Sequence, residues 1–379
     1  MLMYMGLEHH IIIIGGGLAG LTSAIHLARE GMPVSLIEKN TYPRHKVCGE
    51  YISNEILPYL QWLDADPAVL APADISRLLL SAANGKTISA TLPLGGFGIS
   101  RYTLDHFLLG KALAAGVQLI TDTVTDVEYR DDRCVVKMKT HAPLTGTIAL
   151  GAFGKRSTLD QRLSRAFLRK PAPWLAVKGH YEGAFPDGLV ALHNFPGGYC
   201  GVSKTETGAL NICYLVQMDS FRRYGDIDRH REEVLYRNHH LKTIFNNSRP
   251  LFDQPLAISQ ISFGQKTKVE QHMLMTGDTA GLIHPLCGNG MAMAIHSARI
   301  AATVVLRYCH DAGYDRQRME TEYTREWEKA FSYRMKMGRL LNNLFLKDRL
   351  STWLVQQMAS VPAILPFIIR QTHGKYLAI

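Results

Sequence analysis

Four consecutive β-branched residues, Ile11 to Ile14, run directly into GGGLAG, and this junction constrains the fold more than any other feature of the chain. A short unbroken run of this kind suits a strand buried on both faces of a parallel sheet. The glycines Gly15, Gly17 and Gly20 follow as GxGxxG, and LTSAIHLARE then has helical character until Gly31. PVSLIEK reads as a second strand ending at Glu38. The unit is therefore strand, glycine turn, helix, strand and acid. Its glycines permit a tight turn and close backbone approach, while the helix start offers free N–H groups to a pyrophosphate. Leu18 and Ala19 belong to that helix start. Glu38 stands where a carboxylate holds ribose hydroxyls and disfavours a 2′-phosphate, with Lys39 next to it. A plain glycine turn in an ordinary α/β domain is the bland alternative, and the motif alone does not separate FAD from NAD.

With 379 residues, about two lobes are expected. The six cysteines are scattered without a CxxC pair or zinc-ligand spacing, so no metal site is expected and a reduced, cytoplasmic setting is the simple reading. MLMYMGLEHH lacks a positive leader segment, which argues against a signal peptide. The net charge of +9 is uneven: residues 331–379 hold seven Lys/Arg against the single acid Asp348. Neither interleaved stacking aromatics nor a helix-turn-helix pattern accompanies that tail, so no nucleic-acid partner is expected. An anionic membrane surface, a carrier protein or an anionic substrate fits better.

Three later segments extend the opening motif: KNTYPRHKVCGEYIS (39–53), GFGISRYTLDHFLL (96–109) and MTGDTAGLIHPLCGNGMAMAIHSARIAA (275–302). In this order the four motifs resemble the geranylgeranyl reductase branch of the flavin monooxygenase superfamily, which also holds para-hydroxybenzoate hydroxylase-like enzymes and flavin-dependent halogenases. The resemblance runs to about residue 305. It implies an α/β fold: a glutathione reductase-like FAD-binding Rossmann lobe, an antiparallel β-sheet substrate lobe and C-terminal helices. The expected division is a discontinuous FAD lobe at 1–75, 100–160 and 266–330, a substrate lobe at 76–99 and 161–265, and a helical segment at 331–379.

The same resemblance implies a set of FAD contacts. Asp278 would meet the ribitol chain, and Gly288, Gly290 and Met291 would bring a turn and helix start against the flavin ring, where the helix dipole stabilises negative charge. Arg101, in RxxLD, would hold phosphate or ribose. Arg44 and Lys46 are positioned to neutralise the pyrophosphate, though ordinary surface charge is an equal alternative. Val124 would touch adenine from a TVTDV strand added to the FAD sheet; a core valine is the competing reading. Cys48, His45 and Cys287 are the catalytic candidates, against a structural role for each.

One departure stands out against that resemblance. The hydroxylases carry an acid in an Ala/Gly-Asp-Gly-x-x-Ser stretch that supports FAD and reductant, whereas IALGAFGKRSTLD places Phe153 there and keeps Gly154 and Ser157. There is also no second glycine motif for a nicotinamide. NADH or NADPH is therefore expected to bind transiently, or an electron-donor protein replaces it.

Residues 171–265 alternate in the β pattern, with Gly/Pro turns and an aromatic, aliphatic composition that predicts an apolar pocket. Lys178, His180, His193, Tyr199 and Cys200 are its polar candidates, each more often structural than chemical. Near the end, Met337, Leu341, Leu344 and Phe345 form a helical stripe. The apolar stretch from Trp353 is broken by Gln356, Gln357, Pro362 and Pro366, so it makes a poor membrane span and reads as a pocket cap or an interfacial patch. The expected activity is hydroxylation of a bulky apolar aromatic polyketide or long-chain phenol by an FAD-dependent monooxygenase. The alternatives are reduction of isoprenoid double bonds and, in another class, a flavin electron relay. Without a WxWxI signature, halogenation is expected less.

Overall fold

The computed structural model describes residues 9–345, 353, 355, 357, 364–372 and 374–377. Lys347, Asp348, Arg349, Gln356 and Pro362 of the basic and apolar tail lie outside the described residues, as does the segment before His9.

The isoleucine run forms the strand Ile11–Ile14, whose side chains are at most 3 % exposed. It lies inside a six-stranded sheet ordered Val269–Glu270, Met273–Met275, Ile148–Gly151, Ile11–Ile14, Val34–Glu38, Gln118–Thr121. Every pairing is parallel except the first. Continuous apolar strands are what two covered faces demand. The helix Leu18–Arg29 crosses between the first two strands and packs on the helices Gly290–His310 and Arg101–Ala114.

A second, nine-stranded sheet is mainly antiparallel. Its centre runs Trp174–Gly183, Leu210–Gln217, Gly198–Lys204, Gly188–Phe195, Ala73–Ser81, Thr87–Gly98. Alternation gives it two distinct faces. One buries Val177, Cys200, Val202, Ile212 and Tyr214 against Leu235, Leu241 and Phe245 of a short-helical layer. The other turns Trp174, Ala176, Tyr199 and Leu215 toward Ile261, Leu282 and Leu286. The nine-stranded sheet starts earlier than residue 76: Tyr51–Ser53 pairs with Thr87–Gly98 as its edge, and Ala73–Ser81 lies inside it. The 1–75 boundary therefore cuts through the strand Ala73–Ser81 and separates Tyr51–Ser53 from the sheet it belongs to.

The expected place of Val124 also needs correction. Gln118–Thr121 completes the six-stranded sheet, whereas Val124–Arg130 pairs with Arg133–Met138 in a separate three-stranded sheet. Asp122 turns the chain out between them, accepting hydrogen bonds from the amides of Thr123, Thr140 and His141.

The long helix Arg316–Phe345 packs on Gly290–His310, with Tyr323, Trp327 and Phe331 buried. Ile364–Thr372 lies on Thr87–Gly98, placing Leu365 and Ile369 among Leu80, Leu92 and Val190. Two polar ties fasten this segment. Asn289 Nδ2 donates to the Thr372 carbonyl at 3.0 Å, and buried Glu55 accepts from Arg334 at 3.1 Å and from the Gly374 amide. Among the described residues, no helix is long and apolar enough to cross a membrane.

Candidate functional site

The glycine turn is shaped by contacts that leave no room for side chains. Gly15 adopts φ +106°, and a Cβ there would fall 2.4 Å from the Ala152 carbonyl oxygen. One on Gly20 would fall 1.9 Å from the Gly15 carbonyl oxygen, because the first helix is pressed onto the turn. Gly17 differs: its nearest neighbour would be an Arg101 guanidinium nitrogen at 3.8 Å, so that side of the backbone faces open space. Gly17 is also the N-cap of Leu18–Arg29 and has no side-chain cap, which leaves the helix-start amides available to an anion.

Around this turn lies a paired set of charges. Asp105, almost fully buried, receives the Arg101 guanidinium through two hydrogen bonds of 2.7 and 2.8 Å and the Lys46 ammonium at 2.6 Å. Two cations share one carboxylate, so the cluster keeps a net positive charge beside the turn. Burial works against ionisation of Asp105, but Arg101 and Lys46 outweigh it and hold the carboxyl below its ordinary range. Glu38 accepts from the Gly16 amide at 2.7 Å and from Asn40 at 2.9 and 3.0 Å, with Arg44 at 3.3 Å. There too burial opposes the charge, and the Asn40 and Gly16 hydrogen bonds with Lys46 and Arg44 prevail. Tyr42 donates to the Gly16 carbonyl and closes the turn from outside.

A cavity of about 630 Å³ extends from these groups across the molecule. It begins at Gly15, Gly17, Leu18 and Ala19, passes Glu38, Lys39, Arg44, Lys46 and Arg101, and has Val124 on one side. It continues by Asp278 to Gly288, Gly290 and Met291, and ends under the nine-stranded sheet at Leu78, Leu92, Leu192, Tyr199, Leu215 and Ile258. Of the cofactor candidates only Gly20 is not in its wall, being packed against Gly15. Val124 reaches the trough from the three-stranded sheet, not from the sheet expected to carry it. A long, bent trough with anion-binding amides and cations at one end and a flat turn at the other fits FAD in extended form.

The catalytic candidates separate on chemistry. Cys287 is 2 % exposed, and burial pushes its thiol up to about 12, which makes it a small apolar wall residue. Cys48 lines the cavity half-buried, with its carbonyl held by Asn211 Nδ2 at 3.2 Å. His45 also lines it, stacked on Tyr102 with Phe252 and His180 beside it. Desolvation, then His180 and Lys178, lower its pKa to about 4, so the ring is neutral near pH 7.

Among the strand candidates, Lys178, His180 and Tyr199 share the cavity-side face of their strands, but His193 and Cys200 sit on the opposite one. His193 is buried against Ser81 at 2.8 Å and His240, and the Cys200 thiol is held protonated by burial. Lys178 and His180 converge instead on Glu50, at 2.5 and 2.7 Å. Glu50 also accepts from the Arg101 amide at 2.7 Å and adopts a left-handed φ of +53°. Sequence reasoning missed Glu50 and Asp105. The i,i+4 spacing of Arg101 and Asp105 was a usable signal for the second. His45, Glu50 and His180 bring three potential ligand atoms within 4.8 Å of one another. A divalent cation there would have to coexist with the Lys178 ammonium on the same carboxylate, which opposes it.

At the position of the missing acid, Phe153 lines the cavity, followed by Lys155 and Arg156. Gly154 donates to Thr279 Oγ1 at 2.7 Å, and Ser157 caps the helix Thr158–Arg162 in a reciprocal pair with Asp160. The segment is held by structural bonds and presents cations, not a carboxylate. Behind it, Lys266 donates to the carbonyls of Lys155 and Asp278, both at 2.8 Å, and burial lowers its pKa to about 8.

The model of the FAD dependent oxidoreductase family matches residues 10–47. Over 354 residues the chain is 26 % identical to a digeranylgeranylglycerophospholipid reductase of Methanoculleus marisnigri, covering 88 % of this chain and 84 % of that one. It is 25 % identical over 316 residues to a tryptophan 2-halogenase of Chondromyces crocatus, with 78 % of this chain matched and only 60 % of the halogenase's length spanned. Among solved structures, the flavin-dependent brominase Bmp2 superposes with a TM-score of 0.79 at 17 % identity, covering 97 % of this chain and 93 % of the other. That last likeness concerns the mixed α/β fold.

Proposed function

We propose that this chain, an FAD-dependent oxidoreductase of the superfamily that holds geranylgeranyl reductases and flavin-dependent halogenases, hydroxylates a bulky, apolar, ring-bearing substrate such as a long-chain phenol or aromatic polyketide. The observation that carries this reading is the uninterrupted cavity from the glycine turn to the apolar face of the nine-stranded sheet. When bound, FAD supplies the electron transfer, for which side chains offer no equivalent. The residues around it bind, orient and exclude water. Arg101 and Lys46, tethered by Asp105, are read as cations set beside the pyrophosphate, and Glu38 as the ribose acceptor. The amides opening Gly290–His310 would stabilise negative charge on the reduced ring. Leu78, Leu92, Leu192, Leu215 and Ile258 keep the reacting end dry, and Tyr199 offers an aromatic face to a substrate ring.

Reduction of an isoprenoid-like double bond is the second reading, favoured by the similarity to the Methanoculleus reductase along 88 % of the chain. In both readings the reductant is NADH or NADPH docking transiently, or a donor protein, since Phe153 stands where the hydroxylases keep an acid, with Lys155 and Arg156 following it. The surface carrying Phe367 and Arg370 is read as the side facing a membrane or carrier that delivers substrate.

The test is anaerobic reduction of the FAD-loaded protein by NADH or NADPH with a long-chain phenol and, in parallel, with a phenol whose isoprenoid side chain carries double bonds, followed by admission of oxygen and product mass. A gain of one oxygen supports hydroxylation, and a gain of two hydrogens supports the second reading. Reduced flavin that reoxidises with every such substrate unchanged overturns both.

A further inference from the structure

Lys266 lies on the stretch that returns from Leu256–Ile261, paired with the nine-stranded sheet, to Val269–Glu270, the edge of the six-stranded one. From there it reaches the underside of the Asp278 turn. Three consecutive carbonyls of that turn each accept from a cation: Asp278 from Lys266 at 2.8 Å, Thr279 from Arg165 at 3.0 Å and Ala280 from Lys268 at 3.0 Å. The Lys266 ammonium also donates to the Lys155 carbonyl at 2.8 Å. Lys155 and Asp278 both line the cavity, so one buried nitrogen ties two of its sides together. The Phe167 ring, centred 4.4 Å from the same nitrogen, meets the third N–H with its π face. A counter-ion is what this ammonium lacks. The acids on that side are engaged with Arg165, Asp160 at 2.9 Å and Glu270 at 3.8 Å, and among the described residues no carboxylate forms an ion pair with Lys266. A buried charge without a partner is costly, and an anionic ligand in the trough offsets part of that cost. Burial lowers the Lys266 pKa to about 8; Asp160 and Asp278 favour the ammonium, while Arg165 and Lys268 oppose it. A neutral amine keeps two N–H groups and a lone pair. It can hold both carbonyls only by turning the lone pair onto the ring face, and both bonds lose the strengthening that charge gives.

We infer that Lys266 is a positioning residue of the FAD site, fastening the Lys155 side of the trough to the Asp278 side, and that FAD is held tightly only while this nitrogen is charged. The inference rests on the reading that the trough holds FAD, and it adds a control on how firmly. Binding an anionic dinucleotide favours the charged form, so affinity is full below the pKa of Lys266 and falls as the pH rises through it. A group near 8 that must be protonated for tight binding changes the dissociation constant about tenfold between about pH 7 and about pH 9. Lys268 titrates in the same range: burial lowers it to about 8, against Glu328 and with Arg165 and Arg339 adding to the effect. Its ammonium bonds only the carbonyls of Lys266 and Ala280, neither of them on the Lys155 side, so its loss leaves the fastening in place.

The experiment dilutes the FAD-loaded protein at about pH 7 and about pH 9 and reads released flavin by its fluorescence. Wild type is expected to bind FAD about tenfold more weakly at the higher pH. Lys266→Arg keeps a charge throughout and should hold FAD within about threefold of wild type at pH 7, with the pH dependence gone. Lys266→Met removes the charge and both hydrogen bonds, and should bind about tenfold more weakly at pH 7 with no further loss at pH 9. Lys268→Met should keep the pH dependence of wild type. A wild-type dissociation constant that does not move, or a dependence that persists in Lys266→Met or disappears in Lys268→Met, overturns the role of Lys266. Should Lys266→Arg fail to fold, the wild-type, Lys266→Met and Lys268→Met profiles decide alone. If wild type holds no FAD at either pH, the cofactor reading of the trough fails first, and the inference with it; if it holds FAD equally at both, only the inference fails.

Discussion

The Lys178 ammonium and the Glu50 carboxylate meet at 2.5 Å with neither side chain exposed to solvent, joining the nine-stranded sheet to the loop that follows the second parallel strand. Glu50 is held below the ordinary carboxylate range. Burial resists its ionisation, and His180 and Lys178 overcome that resistance. Because each charge is desolvated for the other, removing one leaves the other stranded. Glu50→Gln is expected to destabilise the fold by about 3–5 kcal/mol, measured as a shift in the denaturant midpoint. Adding Lys178→Met to that variant should recover a large part of the loss. If the double variant is no more stable than Glu50→Gln, the pair is not the unit described here.

Arg101 is expected to matter to FAD through shape as well as charge. Its guanidinium is locked by both Asp105 oxygens and stands at the open side of Gly17. Arg101→Lys preserves charge but loses the two-pronged tether, and should raise the FAD dissociation constant about tenfold, some 1.4 kcal/mol. Arg44, about a third exposed and paired only with Glu38, should give less than about threefold on replacement by alanine, less than 1 kcal/mol. Fluorescence titration of apoprotein with FAD decides the order. Equal effects would place Arg101 outside the cofactor site.

The glycine turn offers a sharper separation of folding from binding. Gly20→Ala drives a Cβ to 1.9 Å from the Gly15 carbonyl oxygen and should yield little folded protein. Gly17→Ala meets nothing closer than 3.8 Å, so the protein should fold, with its thermal midpoint within about 3 °C of wild type. That methyl group nevertheless projects toward the proposed pyrophosphate seat, and FAD content on purification should fall sharply. A Gly17→Ala protein that folds and retains stoichiometric FAD would move the pyrophosphate away from this turn.

What could be read from the sequence follows a physical division. The strand, glycine turn, helix and acid at Ile11–Glu38 are local: period, turn chemistry and capping are written within thirty residues, and the structure reproduces them. The Glu50–Lys178 pair is separated by 128 residues and depends on how two sheets face each other. A lysine at the same parity as Trp174 and Ala176 was the available hint, since inward positions of a half-buried strand rarely hold one. His193 and Cys200 were set among the cavity candidates although their parity places them opposite Leu192 and Tyr199; only the pairing register resolves which face is which. Val124 was assigned to the wrong sheet because nothing in TVTDV reveals that Asp122 gathers three amides and turns the chain away.

Acid should unfold this protein through its neutral histidines. Desolvation lowers His26 to about 4, with Arg299 and Arg29 adding to it, and lowers His193 and His284 to about 3, with His240 and His239 assisting at His193. All three are at most 6 % exposed. Their folded pKa values lie below the unfolded value near 6.5, so between about 6 and 4 the unfolded chain binds more protons than the folded one. Their contribution is fully present above about pH 6.5 and is lost as the pH falls. Each costs about 1.4 kcal/mol per pH unit in that window, or about 4 kcal/mol per unit together, against a total stability of about 5–15 kcal/mol. The carboxylates Glu38, Glu50 and Asp105, whose folded values are depressed, add a loss of the same sign at lower pH. Unfolding near pH 4–5 is therefore expected, with a steep decline in denaturant midpoint from pH 6.5 downward. His26→Gln removes one titrating group, retains a side-chain partner for the Tyr59 hydroxyl now 2.8 Å from Nδ1, and should lower the number of protons taken up on unfolding at pH 5 by about one. An unchanged proton uptake in His26→Gln would mean that the buried imidazoles are not what acid attacks.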